Sequence, residues 1–107
     1  MKKVTVTMYG VYGAFPEYGR DQDLGVTMHE LFDILKTKVE ELGLKSFVDF
    51  QFIDVVRDIT KLRSDILEKL DNEMPVPFFE IDDEIKCVGT VAPGVMAHEI
   101  LAAVKNK

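Results

Sequence analysis

The chain has 107 residues, of which 47% are hydrophobic and 30% are charged, with 13 basic and 19 acidic residues and a net charge of −6. A chain of this length has room for one hydrophobic core, so we predict a single domain over residues 1–107. Its negative charge opposes phosphate groups, and its lysines and arginines are interspersed with acids, which argues against nucleic acid and anionic membranes as partners. No apolar run reaches the roughly 20 residues needed to span a bilayer.

The amino-terminal residues Met1-Lys2-Lys3 carry the positive charge of a signal peptide, but no long apolar stretch follows them. Residues 4–8 instead alternate between apolar and polar side chains, which predicts that the first strand covers residues 3–9. The only cysteine, Cys87, cannot form an internal disulfide, and this suits a reducing compartment. Together these features predict a cytoplasmic protein.

Glycines and prolines punctuate the chain after the first strand and predict a long connection that runs to about residue 26. Thr27 and Glu30 have the spacing of a capping box, and Gly43 supplies a left-handed stop. Between these signals the apolar residues recur at helical spacing, at Met28, Leu31, Phe32, Leu35, Val39 and Leu42. We therefore predict the first helix between Thr27 and Gly43.

The segment Phe47 to Val56 is rich in aromatic and β-branched residues and has large apolar side chains on both faces near its end. It is predicted to be the second strand, central in the sheet or next to the centre. After Asp58, apolar residues at helical spacing up to Leu70 predict a second, amphipathic helix, with Arg63 among its water-facing residues.

Two short strands, Phe78 to Ile81 and Glu84 to Val88, flank Asp82-Asp83 and predict an antiparallel hairpin. Pro93 then precedes a last helix. The order β-α-β-α-β-β-α, with a right-handed crossover between the first two strands, predicts helices packed on a four-stranded mixed sheet. The fold class is therefore α/β, as a three-layer sandwich.

Three segments carry a resemblance to a known superfamily: residues 8–14 at the end of the first strand, residues 51–55 at the end of the second, and residues 76–83 at the hairpin. The chain resembles the thioredoxin-like superfamily over nearly its whole length, and is most similar to the small YuzD-like proteins labelled as disulfide oxidoreductases. The resemblance implies the thioredoxin-like sandwich. It also implies that Pro77 matches the cis-proline of that fold; a trans proline that begins the strand is the alternative.

The Cys-x-x-Cys of redox-active members is missing from this chain. In the register of the YuzD-like proteins, Tyr18 and Asp21 stand where the two cysteines would be. No thiolate at this loop can attack a disulfide, so dithiol exchange there is excluded. Whether the chain is an enzyme is left open, and the missing Cys-x-x-Cys argues against it. No cofactor is expected.

The predicted binding surface joins the loop at residues 12–21 with the chain before the proline. The loop carries three aromatic residues, and the fold would bring it beside Met74 and Val76. In the family, the residue that precedes the proline, here Val76, offers its backbone amide and carbonyl to an extended partner chain. The predicted binding residues are Tyr12, Phe15, Pro16, Tyr18, Asp21, Met74, Val76 and Pro77.

These residues predict either an exposed contact for a protein, a peptide or a second copy of the chain, or a plug in which Tyr12 and Phe15 fold inward.

Cys87 is interpreted as a small buried hydrophobic residue. A redox role would require exposure and a neighbouring cation that lowers the pKa of the thiol, and only Lys86 is close in sequence. Two histidines and one cysteine are too few for a zinc site, so no metal is predicted. His29 is expected to be solvated and His98 to lie on the outer face of the last helix.

Two functions from different classes remain open. The first is a redox-inactive module that binds a protein or peptide or associates with itself. The alternative is a thiol-binding or redox-related enzyme that uses the hydroxyl of Tyr9, Tyr12 or Tyr18, or Cys87, in place of the dithiol, as glutathione transferases of the same fold use a hydroxyl. The helical second domain of those enzymes is missing here. A third hypothesis is an interaction protein like the cysteine-poor circadian KaiB family, which shares its size and acidity.

Overall fold

The computed structural model describes residues 3–14, 26–88 and 93–106, without the side chains of Cys87 and Val88. These residues form a mixed α/β structure with a four-stranded sheet and three α-helices. In chain order the elements are β1 (Val4–Gly10), α1 (Met28–Glu41), β2 (Val48–Asp54), α2 (Ser64–Asp71), β3 (Phe78–Ile81), β4 (Glu84–Val88) and α3 (Pro93–Asn106). No α-helix among these is long and apolar enough to cross a membrane.

The sheet has the order β2-β1-β3-β4 and contains both parallel and antiparallel pairs. β1 and β2 run parallel from the pair Val4–Val48 to the pair Gly10–Asp54. β3 runs antiparallel to β1, with Tyr9 opposite Phe78, and β4 runs antiparallel to β3. The predicted element order and the mixed sheet are therefore confirmed.

Alternation along β1 divides the core between the two faces of the sheet. Val4, Val6 and Met8 are fully buried against side chains of α1 and α3. Tyr9 points to the opposite face, where it packs with Phe78 of β3 and with residues of and before α2. The sheet is thus covered by helices on both sides, as the sequence predicted.

Both ends of α1 form as the sequence predicts. The Thr27 hydroxyl accepts the Glu30 amide at 3.2 Å, and the Glu30 carboxylate accepts the Thr27 amide at 3.0 Å. The chain leaves the helix through Gly43, whose φ of 76° lies in the left-handed region. Both the capping box and the glycine stop are confirmed.

The hairpin between β3 and β4 uses the predicted two-residue turn. Asp82 and Asp83 have φ angles of 50° and 70°, the left-handed pair that fits the twist of two antiparallel strands. The Asp82 carboxylate also accepts the Thr5 amide at 2.8 Å, and the Asp82 amide donates to the Thr5 carbonyl at 2.9 Å. These bonds fix the hairpin to β1.

Two predicted elements are shorter in the structure. β2 ends at Asp54, and Val56, which the sequence pattern places in that strand, is 68% exposed. β2 is an edge strand beside the central β1. The second helix covers only Ser64–Asp71, because Ile59 lies in a separate 3₁₀ turn and is exposed. Both differences arise at the chain reversal after Asp54, which periodicity alone does not reveal.

Candidate functional site

The chain leaves β1 in close contact with the start of α1. A Cβ atom on Gly10 would lie 2.9 Å from Met28 Sδ and 3.5 Å from the ring of Phe52, so this position accepts only glycine without movement of the neighbours. The amide of Val11 donates to Met28 Sδ at 3.1 Å. The sequence before the loop is therefore held directly against the first turn of the helix.

Residues 11–14 occupy the donors at the amino terminus of α1. The Met28 amide donates to the Ala14 carbonyl at 2.8 Å, and the His29 amide donates to the Tyr12 carbonyl at 3.3 Å. The third amide, that of Glu30, is taken by Thr27. In redox-active domains a helix amino terminus lowers the pKa of a thiol, but here the first three amides of the helix bind the chain itself.

Tyr12 is 46% exposed, and its ring is nevertheless in contact with protein groups on several sides. Its ring packs against that of His29 at a tilt of 31° with ring centroids 4.0 Å apart, and meets Phe52 edge-on at 5.9 Å. The guanidinium of Arg57 lies 6.0 Å from its centroid, within cation–π range. Tyr12 thus presents one accessible surface on a ring whose position is fixed.

The expectation that His29 is solvated is wrong. Its side chain is only 28% exposed, because it lies between Tyr12 and Phe52 and has Asp33 at 3.5 Å from Nδ1. No local pattern around His29 indicates this contact, since it depends on how the chain folds back after β1. His98 does lie on the exposed face of α3, with Nδ1 2.8 Å from the Gly94 carbonyl oxygen.

The buried carboxylate of Asp54 binds the backbone amide of Tyr12. It is 6% exposed and accepts three backbone amides: that of Tyr12 at 3.1 Å, that of Val56 at 2.9 Å and that of Arg57 at 2.8 Å. Burial acts to raise the pKa of Asp54, but these amides and the Arg57 charge outweigh it and hold the pKa below its ordinary value. The ionised carboxylate therefore joins the exits of β1 and β2.

The proline segment lies at the same end of the sheet. The Val76–Pro77 peptide bond is cis. Pro77 is buried, while Met74 and Val76 are half-buried, and Val76 packs against the cores on both faces of the sheet. Val11, which precedes Tyr12, also contacts both cores.

Several predicted site residues lie outside the described residues. They are Phe15, Pro16, Tyr18 and Asp21 of the loop, together with the side chain of Cys87. The predicted contact of this loop with Met74 and Val76 therefore stays a prediction. Within the described ranges, no group of three or more histidine, cysteine, aspartate or glutamate side chains is arranged to hold a metal ion.

A second polar cluster, on the α2 side of the sheet, was not predicted. Glu80 is 2% exposed and accepts the hydroxyl of Tyr9 at 2.7 Å and the guanidinium of Arg63 at 2.6 Å. Arg63 also binds Asp83 at 2.7 Å and Asp65 at 3.1 Å. Arg63 is exposed, as predicted, but its guanidinium also pairs with the buried Glu80 carboxylate, and helical spacing does not indicate that contact.

This cluster bears on the thiol-binding alternative. Burial, followed by the hydrogen bond to Glu80, raises the pKa of the Tyr9 hydroxyl well above its usual range, so the group stays protonated. Its hydroxyl donates a hydrogen bond to Glu80, and its ring stacks on Phe78 with centroids 4.9 Å apart. Tyr9 is therefore engaged inside the protein and is a poor candidate for holding a bound thiol.

Comparisons with known proteins give no match to a family model, a curated protein or a solved structure. Function is therefore inferred from the residues and contacts described above.

We predict that Arg63→Met destabilises the protein by about 3 kcal/mol, because it leaves the Glu80 charge buried without its cation. Arg57→Met is the matched control, since it removes an exposed ion pair with Asp58 and should cost at most about 1 kcal/mol. Urea unfolding measures both. The double variant Arg63→Met/Glu80→Gln should recover part of the loss; equal effects of the two arginine substitutions would contradict this role of Arg63.

Asp54→Asn should lower the free energy of unfolding at neutral pH by about 2 kcal/mol, because an amide replaces a charged acceptor of three amides. The folded-state pKa of Asp54 is lowered, so its stabilisation is complete above the ordinary pKa of about 4 and is lost as the pH falls through the lower folded value. Urea midpoints should therefore converge between wild type and variant in acid. The exposed Asp49→Asn serves as control, and a difference that grows in acid would refute the assignment.

Proposed function

We propose that the chain is a redox-inactive domain of thioredoxin-like fold that binds an extended segment of another protein beside Tyr12 and Val76. The strand order β2-β1-β3-β4, the parallel β1–β2 pair and the two antiparallel pairs agree with the arrangement that the resemblance implies. The cis bond before Pro77 lies at the position expected for such a fold. These observations support the assignment of fold.

The register of the two central strands carries the proposal of a binding site. Tyr9 is opposite Phe78 in an antiparallel pair, so two residues further along the chain, one residue past the end of β1, continuation of this register brings Val11 beside Val76. Both valines contact the cores on both faces of the sheet. The exposed ring of Tyr12 therefore follows directly after the residue that neighbours the proline segment.

Rigidity favours binding at this position. The Asp54 carboxylate holds the Tyr12 amide, and His29 and Phe52 hold its ring, so little side-chain freedom remains to be lost when a partner covers it. A fixed tyrosine with one accessible face is a common anchor at protein interfaces. A partner with an apolar or aromatic side chain next to an extended backbone segment would fit this surface.

The redox-inactive part of the proposal rests on the loop and on the helix. Residues 12–21 contain no cysteine, and the first three amides of α1 are bound within the chain. We predict that the protein reduces insulin disulfides no faster than dithiothreitol alone. Cys87→Ser should behave as wild type. Turnover that disappears in Cys87→Ser would instead favour the enzyme that uses this thiol.

The binding site is tested with a displayed library of random peptides selected on the protein. We expect Tyr12→Ser to weaken the selected peptides by at least about tenfold, because it removes the anchoring ring. Val95→Ser, an exposed position on α3, is the matched control. Amide shifts of Val76 on titration would place the peptide at the proline segment. Failure to select any peptide, or equal binding by both variants, would contradict the proposal.

A further inference from the structure

The outer edge of β2 offers backbone groups in a known direction. The Val55 amide donates to the Gly10 carbonyl at 2.9 Å, so Val55 faces β1. Because backbone groups alternate along a strand, Phe50 and Phe52 direct their amides and carbonyls away from β1. The Asp54 amide agrees with this alternation, since it binds the Asp58 carboxylate at 3.3 Å. Among the described residues, no strand pairs with this edge.

The two edges of the sheet differ in how they are protected. Natural edge strands carry lysines, prolines or bulges that prevent pairing with another chain. β4 has a register shift opposite Phe79 and Glu80, and it carries Lys86 in an ion pair with Glu84. β2 has seven residues with regular pairing to β1 and contains neither proline nor lysine. β2 is therefore the edge that is open to a further strand.

The sequence of β2 is complementary to itself. It reads Val-Asp-Phe-Gln-Phe-Ile-Asp, with Gln51 in the middle. In an antiparallel pair of two copies centred on Gln51, Phe50 of each copy lies opposite Phe52 of the other. The backbone groups of these two residues point outward, so each such pair exchanges two hydrogen bonds. Cross-strand aromatic pairs add to the stability of a sheet.

Charge selects the same register. With the axis at Gln51, Asp49 lies opposite Ile53 and Val48 lies opposite Asp54, so no carboxylate faces another. With the axis at Asp49, the two Asp49 side chains would face each other, which destabilises a strand pair. A slip by one residue would place the inward-directed groups of Gln51 opposite the outward-directed groups of Phe50. The register centred on Gln51 therefore satisfies both the hydrogen bonds and the charges.

We propose that two copies of this chain form a dimer in which their β2 strands pair antiparallel about a two-fold axis at Gln51. The two sheets then become one sheet of eight strands, and the interface is the same surface on both copies. This inference goes beyond the proposed function and does not depend on it. β2 lies on the opposite side of β1 from β3, whereas the proposed peptide site lies beside the segment that enters β3.

The dimer is tested by charge complementation at the axis. Gln51 is exposed, so Gln51→Lys and Gln51→Glu should fold normally while they place like charges opposite each other. We expect wild type to sediment at twice the 12.1 kDa of one chain and each variant to raise the dimer Kd by at least about tenfold. An equimolar mixture of the two variants should regain the dimer, because lysine then faces glutamate. Glu84→Lys on β4 is the control and should leave the Kd unchanged.

Three outcomes would overturn the inference: a wild type that stays at 12.1 kDa at its highest attainable concentration, an unchanged Kd in both Gln51 variants, or a mixture that fails to associate. Hydrogen exchange provides a second measurement. The amides of Phe50 and Phe52 should exchange more slowly as concentration rises, while Gln51 should be protected at all concentrations. Tyr12→Ser should remain dimeric, so loss of peptide binding and loss of the dimer are separable results.

Discussion

The Asp54 carboxylate is the contact on which the arrangement at this end of the sheet depends. It is buried, it remains ionised, and its two oxygens accept amides from the chain that leaves β1 and from the chain that leaves β2. Without it, three part-buried amides at these exits would lose their acceptor. Because Tyr12 and Arg57 are both attached to it, a single side chain positions the exposed ring and the cation beside it.

A second buried charge, Glu80, performs a similar task on the opposite face. The helix α2 has eight residues, a length at which helices in water are not stable alone. It is held by Ile66, which is fully buried, and by Arg63, which joins the helix start to Glu80 in β3 and Asp83 in the turn. The hairpin and α2 are therefore coupled through one guanidinium, and Tyr9 extends the same network into β1.

The local signals in the sequence predicted local structure well. The capping box at Thr27, the stop at Gly43 and the turn at Asp82-Asp83 require only neighbouring residues, and all three are confirmed. The candidate site was harder to predict, because Asp54 and His29 acquire their contacts from segments far along the chain. The ion pair of Arg63 was missed for the same reason: helical periodicity correctly predicts that Arg63 is exposed, but it cannot indicate a buried acid 17 residues later. The thioredoxin-like assignment itself stays a proposal.

The irregular pairing of β4 has a consequence for how large an assembly can become. A sheet with two open edges can add chains without limit and produces fibres. Among the described strands β2 is the open edge, since the pairing of β4 is irregular at Lys86, opposite Phe79 and Glu80 of β3. When two copies pair through β2, the two edges of the joined sheet are both β4 strands, so no further copy can add and assembly stops at the dimer.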